Sequence, residues 1–437
     1  MPGKSFARRS VGEWAQPEAG LWLSDRAKAR ELVAAVAQLA IGLVLVSALP
    51  APVATAQAAT PPTAGLSRAD GFSEQRLLEV LGLMARGQSK EALEKVEKLV
   101  QDHPNFQLAQ LVYGDLLAAR TRPLQTLGDM APDTARASAA TLADLREESK
   151  QRVGSVKERP PEGFLPSQFL KMAPQTRSAI AIDASRSRLY LFENTPTGLR
   201  LTADYYVSVG KAGVSKTQEG DQRTPLGVYF ISSRLDRKTL TDFYGVGALT
   251  LNYPNMLDVR RGKSGSGIWL HGTPSNQFAR APHSTDGCLV LSNPDIRTLI
   301  ETTTVRNTPV VVASQLVWKS PKQLEEPAKA FATALESWRA AKAAGNLQKT
   351  LDFYTPDFSN YGKNLDQFAR MLKAEMKASK GRNVELKDLS YFQWNDSAET
   401  MVVSFGEVTA GQRTGLHKRQ YWVRSSNEWK IFFEGVH

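Results

Sequence analysis

Two residue types in one short stretch can do covalent chemistry together. The segment 268–291, IWLHGTPSNQFARAPHSTDGCLVL, holds Cys288, the only cysteine of 437 residues, and two of the five histidines, His271 and His283. A thiol is a strong nucleophile only as its thiolate. An imidazole within hydrogen-bond reach lowers its pKa and later returns the proton to a leaving amine. His271 ends the apolar run GIWLHG and Cys288 begins CLVLS, so neighbouring strand ends would present both side chains to one cleft. Gly287 permits a sharp turn before the nucleophile, and its N–H and that of Cys288 are candidate donors to a developing oxyanion. The types and spacing point to Cys/His acyl transfer, which needs no cofactor. His283, in a loop between Pro282 and Ser284, reads as a solvated side chain. A zinc site from His271, His283, Asp286 and Cys288 matches no usual ligand spacing.

The elements that must position this pair show a period of two. From Ser178, SAIAIDASRSRLYLFEN, RLTADYYVSVGK, TPLGVYFISSR, GALTLNYP and TPVVVAS read as short strands joined by Gly and Pro turns. They predict a mostly β domain over 177–314. NPDIRTLIETTT is a short helix, with Asn293 as N-cap and Pro294 in the first turn. Upstream, helical apolar spacing over 71–120 resembles a single tetratricopeptide-type unit. Residues 121–176, with a helical stretch from Thr134 to Val153, read as a linker. Downstream, 325–437 has helices first and then four strands, and resembles the nuclear-transport-factor-2-like (NTF2-like) cone. Trp394, Tyr421, Trp422 and Trp429 are its pocket candidates, with core the commoner fate of alternating aromatics. The expected class is therefore α+β and multidomain.

HGTPSNQFARAPHSTDGC resembles the active-site signature of the L,D-transpeptidase (YkuD-type) family, and RTPLGVYFI, with Thr224, Pro225 and Gly227, resembles its strand-leading Thr-Pro-x-Gly segment. The resemblance implies a cysteine enzyme acting on peptidoglycan stem peptides. It implies Cys288 as nucleophile, His271 as proton donor and acceptor, Gly272 as the residue whose carbonyl orients the imidazole, and the amides of Asp286, Gly287 and Cys288 as oxyanion hole. Thr285 takes the family's Ser/Thr place, and Ser284 and Tyr253 are further substrate-contact candidates. Many members carry histidine and arginine where this chain has Asp286 and Val290. That departure keeps open hydrolysis of peptide or protein–murein links by the same site. A non-catalytic murein-binding scaffold is the third reading.

The formal charge of +11 favours contact with anionic surfaces. The basic residues form no compact run, which argues against nucleic acid. Arg260, Arg261 and Lys263 read as a solvated charge run, with stem carboxylates as their alternative partners. Residues 32–49, LVAAVAQLAIGLVLVSAL, follow basic residues and precede small ones, the pattern of an export signal cleaved after Ala56 or Ala58. The same run is long enough to serve uncleaved as a membrane anchor. Either route predicts a periplasmic or cell-envelope location. The flanking modules offer surfaces for a protein partner.

Overall fold

The computed structural model describes residues 72–379 and 383–437. The apolar run at 32–49 lies outside them. Five helices come first: α1 (Phe72–Ala85), α2 (Ser89–Asp102), α3 (Gln107–Ala118), α4 (Pro132–Ala137) and α5 (Ala139–Lys157). The helical spacing of α1–α3 buries Leu77 and Val80, Val96 and Leu99, and Leu108 and Val112 in one cluster. That cluster is not self-contained. Phe278, from the loop ahead of Cys288, joins it with its ring stacked 4.0 Å from that of Phe106.

The segment expected as a linker is largely structured, and a buried charge network explains why. Arg152 on α5 is bonded to Glu148 one turn back, at 2.8 Å, and to Glu74 of α1, also at 2.8 Å. Glu74 in turn holds Arg188 of the main β-sheet at 2.7 Å. These groups are nearly inaccessible to water, and such charges persist in a core only when each is paired. The helices are thus fixed to the β domain.

That domain is built from β3 (Ser178–Asp183), β4 (Arg188–Thr195), β5 (Gly198–Tyr206), β6 (Val209–Gly210), β7 (Gly227–Asp236), β8 (Gly247–Leu251), β9 (Trp269–His271), β10 (His283–Thr285), β11 (Leu289–Val290) and β12 (Pro309–Ala313), preceded by β1 (Leu165–Pro166) and β2 (Phe169–Lys171). Its main sheet runs β11-β9-β8-β7-β12-β3-β4-β5. Alternation sends Ile180, Ile182, Val310 and Val312 to one core, which α7 (Asn293–Thr302) covers with Ile296 and Leu299. The α7 cap is Ser292, whose Oγ accepts from the Asp295 N–H, and not Asn293 as expected. Asn293 is occupied elsewhere. A short helix, α6 (Met256–Arg260), leads into the loop before β9.

The C-terminal domain comprises β13 (Trp318–Lys319), α8 (Pro321–Ala343), α9 (Leu347–Leu351), β14 (Tyr354–Ser359), α10 (Leu365–Ser379) and the meander β15 (Val384–Asn395), β16 (Glu399–Thr409), β17 (Leu416–Ser425) and β18 (Glu428–Val436). Its sheet order is β14-β18-β17-β16-β15-β2, so the segment ahead of the β domain supplies an edge strand. One face packs on α8 through Phe331, Trp338 and Trp422. The other packs on the back of the main sheet of the preceding domain, where Phe392, Trp394, Tyr421 and Phe433 meet Ala181, Phe192 and Phe230. Trp394 and Trp422 are packing groups, whereas Trp429 both borders the helix-side core and lines a cavity of about 770 Å³ beside α8, and Tyr421 lines one of about 640 Å³. The basic run is paired: Arg260, though exposed, pairs with Asp357 at 2.7 Å and Arg261 with Asp396 at 2.5 Å, both across the domain boundary, while Lys263 pairs with Asp258.

Candidate active site

The short strand pair β9/β11 places the two chemical groups. It is parallel, with Leu270 opposite Leu289 and His271 opposite Val290. Leu270, Leu289 and Leu291 point into the core. By the period of two, His271, Val290 and Cys288 share the opposite face.

The imidazole is buried, with its Nδ1 2.7 Å from the Gly272 carbonyl oxygen. A carbonyl only accepts, so Nδ1 carries the proton and Nε2 keeps its lone pair. The ring is walled by Tyr244 and Phe243, at 5.0 and 5.9 Å between centroids. Gly272 is dictated by space. A Cβ there would stand 2.1 Å from Asn293 Oδ1, which accepts from the Val246 N–H while Nδ2 donates to the Thr273 carbonyl. Asn293 therefore fixes the peptide that orients His271. Sequence reasoning read it only as a cap, although a polar side chain just before a proline-led turn has a second use as a clip.

The turn before Cys288 is held from the other side. Gly287 has φ +120°, and a Cβ on it would meet the Arg223 carbonyl at 2.7 Å. Thr224 Oγ1 accepts from the Gly210 N–H at 2.9 Å and donates to the Gly287 carbonyl at 3.0 Å. This is the physical content of the Thr-Pro-x-Gly segment. Thr285 Oγ1 donates to the Cys288 carbonyl at 2.7 Å and accepts from the Gly287 N–H at 3.1 Å.

That last bond corrects an expectation. The Gly287 amide is committed to Thr285 and is not free for an oxyanion. No backbone bond among the described residues engages the amides of Asp286 or Cys288. The three substrate-contact candidates are likewise committed. Thr285 braces the turn, Ser284 Oγ donates to the Ala281 carbonyl, and buried Tyr253 donates to the Ser264 carbonyl at 3.0 Å. Tyr253 supports a cleft-side loop from beneath. The Asp286 side chain points to solvent and pairs with Lys211 at 3.0 Å, and His283 is exposed on β10.

Electrostatics define the resting state. Burial pushes His271 down to about 4, against a smaller upward pull from the Gly272 carbonyl, and the charge of Arg280 adds to the fall. Burial likewise raises the Cys288 thiol above its usual range, opposed by the Trp269 N–H and the Arg280 charge. The thiol donates to the Gly267 carbonyl at 3.4 Å. The sequence suggested a thiol acidified by its imidazole; the structure instead has a neutral thiol bonded to the Gly267 carbonyl and a neutral imidazole bonded to the Gly272 carbonyl. Chemistry open to such a pair is general-base assistance, in which the proton moves as the sulfur attacks.

The comparisons agree with this construction. Residues 177–312 match the L,D-transpeptidase catalytic domain model, YkuD, and residues 330–435 match the Cds6 C-terminal NTF2-like domain. Among solved structures, the chain is similar to Bd1075 of Bdellovibrio bacteriovorus, with 26% identity over 62% of this chain and 97% of that one and a TM-score of 0.53. It is also similar to Pgp2 of Campylobacter jejuni, described as a helical cell shape determining protein, with 20% identity over 64% of this chain and 96% of that one and a TM-score of 0.48. No curated protein matches the chain. The fold, the Cys288–His271 placement and the family matches converge: the chain carries a catalytic domain of the YkuD L,D-transpeptidase family, followed by an NTF2-like domain of the Cds6 C-terminal family.

Proposed function

We propose that this protein is an exported cysteine acyltransferase acting on peptidoglycan stem peptides through a Cys288 thioester. The observation that carries the reading is the β9/β11 pairing, which turns His271 and Cys288 to one face while the Gly272 carbonyl sets the imidazole tautomer. The Nε2 lone pair of His271 takes the thiol proton as Sγ bonds to the carbonyl carbon between L- and D-centres. The carbonyl π pair moves onto oxygen, beside the amides of Asp286 and Cys288. Collapse breaks the C–N bond, and the imidazolium gives its proton to the departing amine. The thioester then passes its acyl group to an amine of a second stem, or to water, with the imidazole again carrying the proton. The apolar run at 32–49 supports export, and the +11 charge suits an anionic wall polymer.

Intact-mass analysis after incubation with a carbapenem tests the nucleophile. One covalent adduct is expected on the wild type and none on Cys288→Ala; an adduct surviving that substitution refutes the assignment. Digestion of purified sacculi then reports the reaction. New crosslinked dimers signify transfer, released stems signify hydrolysis, and Cys288→Ala should lower either by at least about 10³-fold.

A further inference from the structure

Three cations act near the catalytic pair, and their partners differ. Lys211 pairs with Asp286 at 3.0 Å, and Lys216 with Asp221 at 2.8 Å. Arg280 makes no ion pair among the described residues. Its guanidinium stands 4.6 Å over the Phe243 ring, which itself lies 5.9 Å from the His271 ring. The loop carrying it is held firmly. The Arg280 carbonyl accepts from the Tyr206 hydroxyl at 2.8 Å, and Phe278 is stacked on Phe106 of the helical module. Phe243, Arg280 and Ser284 line a cavity of about 900 Å³ whose far wall is α3 and α5.

A half-buried guanidinium beside only an aromatic face is under-compensated, and a carboxylate with two oxygens matches its fork. The mechanism says which carboxylate. His271 delivers a proton to the leaving amine, so the group borne on that amine lies on the imidazole side of the sulfur, against Phe243 and Arg280. We infer that Arg280 is a specificity residue whose guanidinium binds the α-carboxylate of the leaving amino acid. The inference rests on the acyl-transfer reading above.

The test compares a synthetic tetrapeptide stem with a free C-terminus against its C-terminal amide, reading release of the last residue by mass spectrometry. On the wild type, kcat/KM for the acid should exceed that for the amide by about 20-fold or more. Arg280→Gln should erase this preference by raising KM for the acid while leaving the amide unchanged. Arg280→Lys, which keeps the charge, should restore part of it. A preference that survives Arg280→Gln, or an equal loss on both peptides carried in kcat, overturns the assignment and leaves the acyltransferase intact. A wild type inactive on both peptides overturns the acyltransferase and this assignment with it.

Discussion

The active-site cleft and the interior of the C-terminal domain both bury titratable groups, and they compensate them in opposite ways. Inside the C-terminal domain, Lys418 Nζ lies 3.0 Å from Glu407 and 3.3 Å from both Glu375 and Glu434, while Lys342 takes Glu407 at 2.7 Å. Glu434 also accepts from the Tyr354 hydroxyl and from Gln420 Nε2. Each charge of this cluster has a counter-charge. In the cleft, His271 has one carbonyl, the Cys288 thiol has another, and Arg280 has an aromatic ring. Satisfied burial makes a rigid interior. Burial left incomplete raises the energy of the resting site, and a substrate can supply what is missing.

Breaking the satisfied cluster should show the larger effect. Lys418→Met leaves carboxylates buried without their cation and should cost about 3–5 kcal/mol in urea unfolding. Carbapenem labelling of Cys288 in the protein that remains folded should be unchanged. Labelling lost in step with stability would mean that the two regions are one cooperative unit.

The next test sharpens the contrast through pH. His271 titrates near 6.5 when unfolded and about 4 when folded, so between these values the unfolded chain binds the extra proton. Stability should therefore fall as pH drops from about 6.5 to 4, by up to about 3 kcal/mol from this residue. His437, also held low by burial, contributes in the same direction. The difference between wild type and His271→Gln isolates the active-site share, and parallel curves for the two proteins would refute a neutral buried imidazole.

The smallest effect belongs to the surface. Asp286 is three-quarters exposed and raises the thiol as one of several lesser influences. Asp286→Asn should change stability by less than about 0.5 kcal/mol and quicken iodoacetamide labelling slightly. A slower reaction would show that the carboxylate aids the thiol.

The placement of His271 and Cys288 was legible because its signals are local. A histidine closing one apolar run and a Gly-Cys opening the next are read within twenty residues, and strand alternation does the rest. What stayed hidden is long-range. Arg280 sits in an irregular loop whose place is set by Phe278 on Phe106, some 170 residues earlier, and no periodicity encodes that contact. The Glu74–Arg152–Arg188 network likewise joins residues up to 114 apart. Its visible trace is Glu148 and Arg152, opposite charges one helical turn apart, a spacing that does not tell a buried pair from a solvated one. The Gly287 amide was misjudged because a neighbouring threonine competes for it, and spacing cannot tell a free donor from a used one.

The strand β2 ties together what sequence similarity treats as separate modules. Phe169 and Lys171 pair with Phe392 and Tyr391, more than 200 residues later. During folding the sheet that carries β3, β4 and β7 keeps its back uncovered until the last meander has formed and closes over it. A fragment trimmed to the matched catalytic segment would carry that oily surface permanently, so an active excised version calls for polar replacements at Phe192 and Phe230.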